Sequence, residues 1–268
     1  MTDRPIVVPL DGSELSEAAV PYACTVAKAT GGPVLLVTVW DGGEELFGGK
    51  LRGLADDLLK SGEEYFIQYL NEVAQKIGKE GLDTQVLLGT PADEILRLLQ
   101  EREARMLVMS THGRSGLGRW WYGSVASRLV REAPVPTMVV GPKLLGEAGR
   151  AVKKVRRILV PLNGSALAET ALPAAGELAD ALGADLLLAQ VLTWATQAFV
   201  FGVPDVDVAQ IDKELTAAAE RYLRETKDRL RTTRAVEISV LHGQPADTLI
   251  GLTEAQDIDL VVMASHAR

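Results

Sequence analysis

The stretch that decides the fold occurs twice in this chain, as Ile6-Val7-Val8-Pro9-Leu10-Asp11-Gly12-Ser13 and as Ile158-Leu159-Val160-Pro161-Leu162-Asn163-Gly164-Ser165. Each copy is a short β-rich run, followed by a turn and a serine that can cap a helix. The two copies lie 152 positions apart. A repeat interval this long indicates duplicated domains rather than a solenoid of short repeats.

Two further segments repeat in the same order. The first is Gly89-Thr90-Pro91-Ala92-Asp93, which returns as Gly243-Gln244-Pro245-Ala246-Asp247. The second is Leu107-Val108-Met109-Ser110-Thr111-His112-Gly113, which returns as Val261-Val262-Met263-Ala264-Ser265-His266-Ala267. Between the copies, residues 146–151 are small or polar, as is typical of a linker. We therefore predict one domain over residues 1–146 and a second over residues 152–268.

Strand and helix signals alternate within the first copy. Apolar runs predict strands at about 6–10, 34–40, 84–88, 106–110 and 137–140. A helix capped by Ser13 should run to a stop at Gly31, and a long helix is expected over about 54–79. This alternation predicts an α/β fold: two tandem, doubly wound parallel-sheet domains of Rossmann-like type. Such sheets bind ligands beyond the carboxyl ends of their strands, where the strand order reverses.

Composition narrows the classes of partner. The formal net charge of −8 disfavours nucleic acid, whose phosphates an acidic surface repels. The single cysteine, Cys24, excludes a disulfide framework within the chain and fits a reducing compartment. The first residues do not resemble a signal peptide, and no apolar run approaches the length of a bilayer span. We expect a cytoplasmic protein with neither membrane nor nucleic acid as a partner.

The most informative segment for function is the glycine-rich stretch from Ser110 to Ser124. Its glycines, Gly113 and Gly123 among them, leave backbone amides accessible to an anion, and Arg114 could neutralise charge. It follows the fourth strand and lacks a Gly-Lys-Ser/Thr ending, so it is neither a standard P-loop nor a dinucleotide fingerprint. A glycine-rich turn without a ligand is the alternative interpretation.

This segment resembles the nucleotide-binding signature of the universal stress protein family: Gly, two residues, Gly, nine residues, Gly, then Ser or Thr. Gly113, Gly123 and Ser124 match its spacing, whereas Ser110 stands where the family has its first glycine. The opening Val-Pro-Leu-Asp-Gly-Ser, the Gly-x-Pro-Ala-Asp segment and the tail at residues 133–140 are also similar to the family. The resemblance covers the first domain and most of the second.

The resemblance implies a five-stranded parallel sheet that binds an adenine nucleotide, ATP or AMP, with or without Mg²⁺. It implies that Asp11 meets the ribose and that the backbone of Val39 reads the adenine edge. It also implies that the base pocket is lined by Pro9, Leu10 and Met109. The residues implied to hold the ribose and phosphates are Ser110, Gly113, Gly123, Ser124 and Val125. Because Ser110 brings a side chain to a glycine position, we expect weaker or shifted binding rather than none.

Several of these residues have a structural alternative. Asp11 could cap the following helix, and that role can coexist with ribose binding. His112 could only pack or form hydrogen bonds within the loop, although we include it with Arg114 among the candidate ligand contacts. The three histidines show no metal-ligand spacing, so no metal site built from the protein's own side chains is predicted.

The second copy departs further from the pattern. Asn163 replaces Asp11, and Ala264 and Ala267 replace Ser110 and Gly113. The sequence stops at Arg268, where the first copy enters its glycine loop, so we expect a degenerate, C-terminally incomplete domain that binds nucleotide poorly. An incomplete sheet would expose an edge that needs cover or pairing. We expect a homodimer or pairing of domains within one chain.

Three functions remain open from the sequence. The first is a nucleotide-binding protein with a regulatory role in stress responses, without catalytic residues. The second is an enzyme: Asp11, Ser13 and His112 could lie near one another, but Ser13 is better explained as a helix cap. A slow ATP hydrolase belongs to this class. The third is a nucleotide-independent interaction module, which Ser110 and the degenerate second copy favour.

Overall fold

A computed structural model describes residues 4–41, 52–78, 81–110, 123–141, 154–193 and 208–264. The chain divides into two compact units between residues 152 and 153. Each unit has its own parallel sheet with helices, as the alternating pattern predicted. Within the described residues, no helix combines the length and the apolar character that crossing a bilayer requires.

The first unit has a five-stranded sheet in the order β3-β2-β1-β4-β5, with every neighbouring pair parallel. Its strands are β1 Ile6–Pro9, β2 Val34–Trp40, β3 Leu82–Leu88, β4 Met106–Ser110 and β5 Thr137–Val140. Its helices are α1 Glu14–Glu17, α2 Val20–Thr30, α3 Arg52–Ile77, α4 Pro91–Glu101 and α5 Ser124–Glu132. The order reverses between β1 and β4, so the doubly wound topology is confirmed.

The second unit repeats this plan. Its described strands are β6 Arg157–Leu162, β7 Asp185–Leu192, β8 Val236–His242 and β9 Leu260–Val261, all paired in parallel in the order β8-β7-β6-β9. Its described helices are α6 Ala166–Glu169, α7 Leu172–Leu182, α8 Val208–Arg229 and α9 Pro245–Ala255. This strand order matches β3-β2-β1-β4 of the first unit, so the tandem α/β fold is confirmed.

The helix after β1 differs from its prediction. A single helix was expected from Ser13 to Gly31, but α1 ends at Glu17 and α2 begins at Val20. Pro21 lies in the first turn of α2, where its missing amide hydrogen costs no helical hydrogen bond. The equivalent Pro173 begins α7 in the same way. The break is therefore a shared property of both units.

The first unit buries its central strands β1 and β4 except at Pro9, as expected of a parallel sheet that carries helices on both faces. Val7 and Leu107 lie side by side at the middle of the sheet and are inaccessible to solvent. On one face of the sheet, Ile95 of α4 and Leu129 of α5 belong to the same buried cluster as these strand residues. This packing fixes the positions of α4 and α5 relative to the carboxyl ends of β1 and β4.

Candidate functional site

The sheet of the first unit opens between β1 and β4 at its carboxyl edge. The last register pairs are Val7 with Leu107 between β1 and β4, Pro9 with Val37 between β1 and β2, and Ser110 with Val140 between β4 and β5. Both strands therefore continue beyond their mutual pairing while each stays paired with its outer neighbour. The strand order reverses between β1 and β4, and we call the carboxyl edge between them the crevice, because this point is the usual ligand site of this class of fold.

The backbone of Pro9 faces the crevice, and proline has no amide hydrogen there. The amides of Ile6 and Leu10 donate to Pro33 O at 2.9 Å and to Val37 O at 2.7 Å, so even-numbered residues of this segment face β2. Because backbone groups alternate along a parallel strand, Pro9 faces β4. The proline thus leaves no unsatisfied amide hydrogen where the ladder stops.

Asp11 is held in a tight turn at the end of β1. Its Oδ1 accepts hydrogen bonds from Ser13 N at 3.0 Å and from Ser13 Oγ at 2.6 Å. Ser13 Oγ in turn accepts from Ser16 N at 3.1 Å and so caps α1, while Ser16 Oγ donates to Ser13 O at 2.8 Å. The hydroxyl proton and one lone pair of Ser13 are both used in this turn, as expected of a helix cap.

The second unit builds the same turn without a charge. Asn163 Oδ1 accepts from Ser165 N at 3.1 Å and from Ser165 Oγ at 2.6 Å, and Ser165 Oγ accepts from Ala168 N at 3.2 Å. The φ and ψ angles of Ser13 are −90° and 146°, and those of Ser165 are −89° and 147°. A neutral amide is therefore enough to hold the turn. The negative charge of Asp11 is not required for it.

Each unit has a tyrosine of its long helix near this turn. Burial raises the pKa of Tyr69, and the nearby carboxylate of Glu17 raises it further. Burial likewise raises the pKa of Tyr222, and the nearby carboxylate of Glu169 raises it further. Glu17 also lies 3.7 Å from Lys76 Nζ, so its carboxylate faces α3 as well as the tyrosine. Tyr69 and Lys76 of α3 therefore both lie near Glu17 at the end of α1.

Val39 presents its backbone at the side of β2 that faces the crevice. Trp40 O accepts from Gly89 N at 3.0 Å on the β3 side, whereas Val37 O accepts from Leu10 N on the β1 side. By the alternation of the strand, the peptide groups of Val39 also face the β1 side, one step beyond the last bond between β1 and β2. The predicted contact of this backbone with the adenine edge stays a prediction.

Two predicted base-pocket residues lie deeper than the others. Leu10 and Met109 are both buried, and Met109 belongs to the cluster that includes Leu129 of α5. Their side chains form the core beside the crevice, while Pro9 remains partly exposed. Their direct contact with a base stays a prediction.

The start of α5 is suited to an anion. Gly123 occupies the N-cap position with φ −56° and ψ 154°, and no side chain caps the helix there. A Cβ added at Gly123 would meet no atom within 4 Å. The first amides of a helix have no partner within the helix, so those of Ser124 and Val125 are positioned to donate to an anion at this helix end.

Two contacts fix the direction of α5. Val125 packs with its side chain against the core, so its backbone and not its side chain can serve a ligand. Arg128 Nη2 donates to Asp93 Oδ1 at 2.6 Å, which joins α5 to the first turn of α4. Asp93 comes from the repeated Gly-x-Pro-Ala-Asp segment. The structure thus explains its aspartate as an anchor for α5.

The remaining predicted contacts, His112, Gly113 and Arg114, lie outside the described residues. Within the part of the chain that is described, no group of three or more histidine, cysteine, aspartate or glutamate side chains could hold a metal ion. The second unit has a cavity of about 540 Å³ at the opposite, amino edge of its sheet. Its walls carry both signs of charge, including Arg156, Asp185 and Asp259, so it does not favour an anionic ligand.

Comparison with known proteins agrees with the duplicated plan. The model of the universal stress protein family matches residues 3–141 and again residues 154–268. A universal stress protein of Methanocaldococcus jannaschii is 33% identical over 140 residues, which cover 51% of this chain and 81% of that protein. One of Mycobacterium tuberculosis is 25% identical over 279 residues, covering 98% of this chain and 87% of that protein.

Solved structures show the same fold over nearly the whole chain. A universal stress protein from Archaeoglobus fulgidus matches with a TM-score of 0.64 at 19% identity, covering 97% of this chain and 86% of that one. A protein from Pseudomonas aeruginosa, described as a putative universal stress protein, matches with a TM-score of 0.62 at 15% identity, covering 99% and 83%. With the family model matched twice, this chain belongs to the universal stress protein family as a member with two tandem domains.

Proposed function

We propose that the first unit binds an adenine nucleotide, ATP or AMP, in the crevice between β1 and β4, and that the chain regulates a stress response through this binding. The observation that carries the proposal is the charge of Asp11. The same turn forms around neutral Asn163, so the turn itself does not need the negative charge. A carboxylate at a strand end of such a sheet is suited to accept the hydroxyl groups of a ribose.

The surrounding residues provide the other groups that a nucleotide needs. The backbone of Val39 faces the base end of the crevice, and the first amides of α5, from Ser124 and Val125, suit the phosphates. In the proposed complex, Gly113 supplies further bare backbone, while His112 and Arg114 add polar and positive groups. Mg²⁺ would then be held chiefly by the phosphates and water, as is usual for this ion.

We propose a binding and regulatory role in preference to catalysis. The hydroxyl of Ser13, the candidate nucleophile nearest Asp11, is engaged as donor and as acceptor within the turn. Any hydrolysis of ATP would depend on water and would be slow. The proposed location is the cytoplasm, in keeping with a single free cysteine, and the homodimer or domain pairing expected from the sequence stays a prediction.

A second candidate function is that of an interaction module without nucleotide. Ser110 favours it, because its side chain stands at the buried end of β4 where the family signature has a glycine. Ser110→Gly separates the two functions. A nucleotide-binding protein should bind ATP more tightly after this change, whereas an interaction module should remain unable to bind it.

The experiment has two steps. The purified protein is denatured, and the released material is assayed for adenine nucleotide. Nucleotide-free protein is then titrated with ATP by calorimetry, beside the variants Gly123→Val and Gly251→Ala. Because a side chain at Gly123 has open space, Gly123→Val should keep the fold and lose ATP binding. Gly251 of α9 also has open space, so Gly251→Ala is the control that should bind ATP normally.

A further inference from the structure

Two buried hydroxyl groups bind one peptide group of the first unit, the group that joins Leu10 to Asp11. Thr38 Oγ1 donates to Leu10 O at 2.8 Å, and Asp11 N donates to Ser16 Oγ at 3.3 Å. Thr38 is 2% exposed and Ser16 is 3% exposed, so little water reaches either contact. We call these two side chains the hydroxyl clamp. They hold the peptide group before Asp11 at both its oxygen and its nitrogen.

In the second unit, neither residue of the clamp is retained. The residues 152 positions after Ser16 and Thr38 are Ala168 and Gln190, and neither carries a hydroxyl group. Ala168 is also buried, and its amide donates to the cap hydroxyl of Ser165, just as the amide of Ser16 donates to the cap hydroxyl of its own unit. The start of this helix therefore does not need the hydroxyl of Ser16.

Thr38 acts at the point where β1 and β2 separate. Pairing of β1 with β2 ends at Pro9, whereas pairing of β6 with β7 continues to Leu162, the equivalent of Leu10. At this step of the first unit, Leu10 O accepts from the hydroxyl of Thr38. The hydroxyl thus supports the chain beyond the last residue pair of β1, directly before Asp11.

The clamp acts on the residue that we propose for the ribose contact. With its peptide group held at both ends, Asp11 starts from a fixed backbone, and its Oδ1 accepts two hydrogen bonds from Ser13. Preorganisation of this kind keeps a binding group in the geometry that its ligand needs. Both clamp hydroxyls are buried, so they influence a ligand only through Asp11.

We propose that Ser16 and Thr38 are positioning residues that hold the Asp11 carboxylate where it selects ribose over 2′-deoxyribose. A site that binds a ligand hydroxyl rejects an analogue without it, because the acceptor is left unpaired. An acceptor that is held in place cannot turn aside to another partner, so the clamp sharpens this discrimination. This role rests on the nucleotide site proposed for the first unit and adds the side chains that set its preference for ribonucleotides.

The test titrates the full, nucleotide-free chain with ATP and with 2′-deoxyATP by calorimetry, and the ratio of the two Kd values measures the selection. Ser16→Ala and Thr38→Val each remove one hydroxyl, and each should lower the preference for ATP about fivefold, the equivalent of one neutral hydrogen bond. Thr38→Ser keeps a hydroxyl and should recover most of the preference. Thr226→Val is the matched control, because Thr226 of α8 is a threonine that is 1% exposed and lies in the second unit, and it should leave the ratio unchanged.

A second background separates positioning from a structural role. In the Asp11→Asn variant, Ser16→Ala should not change the ratio further, because the clamp acts through the carboxylate. If the unchanged chain binds ATP but either Ser16→Ala or Thr38→Val leaves the ratio unaltered, the clamp is overturned and the nucleotide site stands. Equal affinity of the unchanged chain for both nucleotides has the same meaning. If the unchanged chain binds no ATP, the nucleotide site and the clamp are both overturned.

Discussion

Asp11 and Asn163 occupy the same corner of the two units and hold the same turn, yet only Asp11 carries a charge. Each accepts two hydrogen bonds from the serine two positions later, at distances that differ by at most 0.1 Å between the units. The duplication therefore separates two roles of one residue. The turn needs an oxygen acceptor, whereas the proposed ribose contact gains from a negative charge.

Exchange of Asp11 for asparagine should weaken ATP binding without loss of stability. Hydrogen bonds to charged groups contribute about 1.5–3 kcal/mol, against about 1 kcal/mol for neutral ones. The Kd for ATP should thus rise about tenfold. The free energy of unfolding should change by less than about 0.5 kcal/mol, because Asn163 already supports this geometry. Calorimetry and urea unfolding measure the two quantities.

Asp11→Ala is the companion variant. It removes the acceptor as well as the charge, so it should lower both ATP affinity and stability. Equal ATP affinity in the Asp11→Asn variant and in the unchanged chain would show that the carboxylate has no part in binding.

The helix caps provide a paired test. Ser13→Ala and Ser165→Ala each remove an N-cap hydroxyl, and such changes cost about 1 kcal/mol. The two hydroxyls accept hydrogen bonds from the amides of Ser16 and Ala168. These amides should therefore exchange their hydrogens with solvent faster in the respective variants. Only Ser13→Ala should also weaken ATP binding, since Asp11 loses a partner. A loss of affinity in Ser165→Ala would contradict a site confined to the first unit.

Two helical glycines of the second unit should respond in opposite directions to alanine. A Cβ at Gly176 of α7 would lie 2.8 Å from the backbone oxygen of Arg231, so Gly176→Ala forces the two segments apart. We expect a loss of about 1–3 kcal/mol. Gly251 has open space, and Gly251→Ala should gain up to about 1 kcal/mol from helix propensity. Thermal unfolding measures the stability of both variants. A gain in stability for Gly176→Ala would refute the close approach of Gly176 to the backbone oxygen of Arg231.

Asp180 should make the second unit sensitive to acid. Its Oδ1 accepts from Thr233 Oγ1 at 2.7 Å, Thr233 N at 2.8 Å and Thr232 Oγ1 at 2.9 Å, and these hydrogen bonds lower its pKa. A lowered folded pKa means that the stabilisation is present above the unfolded value of about 4 and is lost as the pH falls through the folded value.

The urea midpoints of the unchanged chain and of Asp180→Asn should therefore differ at pH 7 and converge towards pH 3. A difference that stays constant over this range would show that the charge of Asp180 contributes nothing.

Much of the fold follows from local sequence pattern. The apolar runs at residues 34–40 and 106–110 coincide with β2 and β4, because a strand covered on both faces needs continuous apolar residues. Pro21, which lies in the first turn of α2, is a local signal for the break between α1 and α2. The pair of Arg128 and Asp93 joins residues 35 positions apart and could not be read from local pattern.

The candidate site was only partly accessible from sequence. The family resemblance predicts roles for Asp11 and Val39, and the structure places Asp11 in the turn after β1 and the backbone of Val39 on the β1 side of β2. The deep burial of Met109 depends on how α5 packs, which is a tertiary property.

The most direct measurement is the stoichiometry of ATP binding to the full, nucleotide-free chain by isothermal titration calorimetry. We expect one saturable site per chain, with affinity reduced in Asp11→Asn and unchanged in Asn163→Asp. Absence of saturable binding, or binding that the Asp11 variant leaves unaltered, would contradict a nucleotide site at the end of β1.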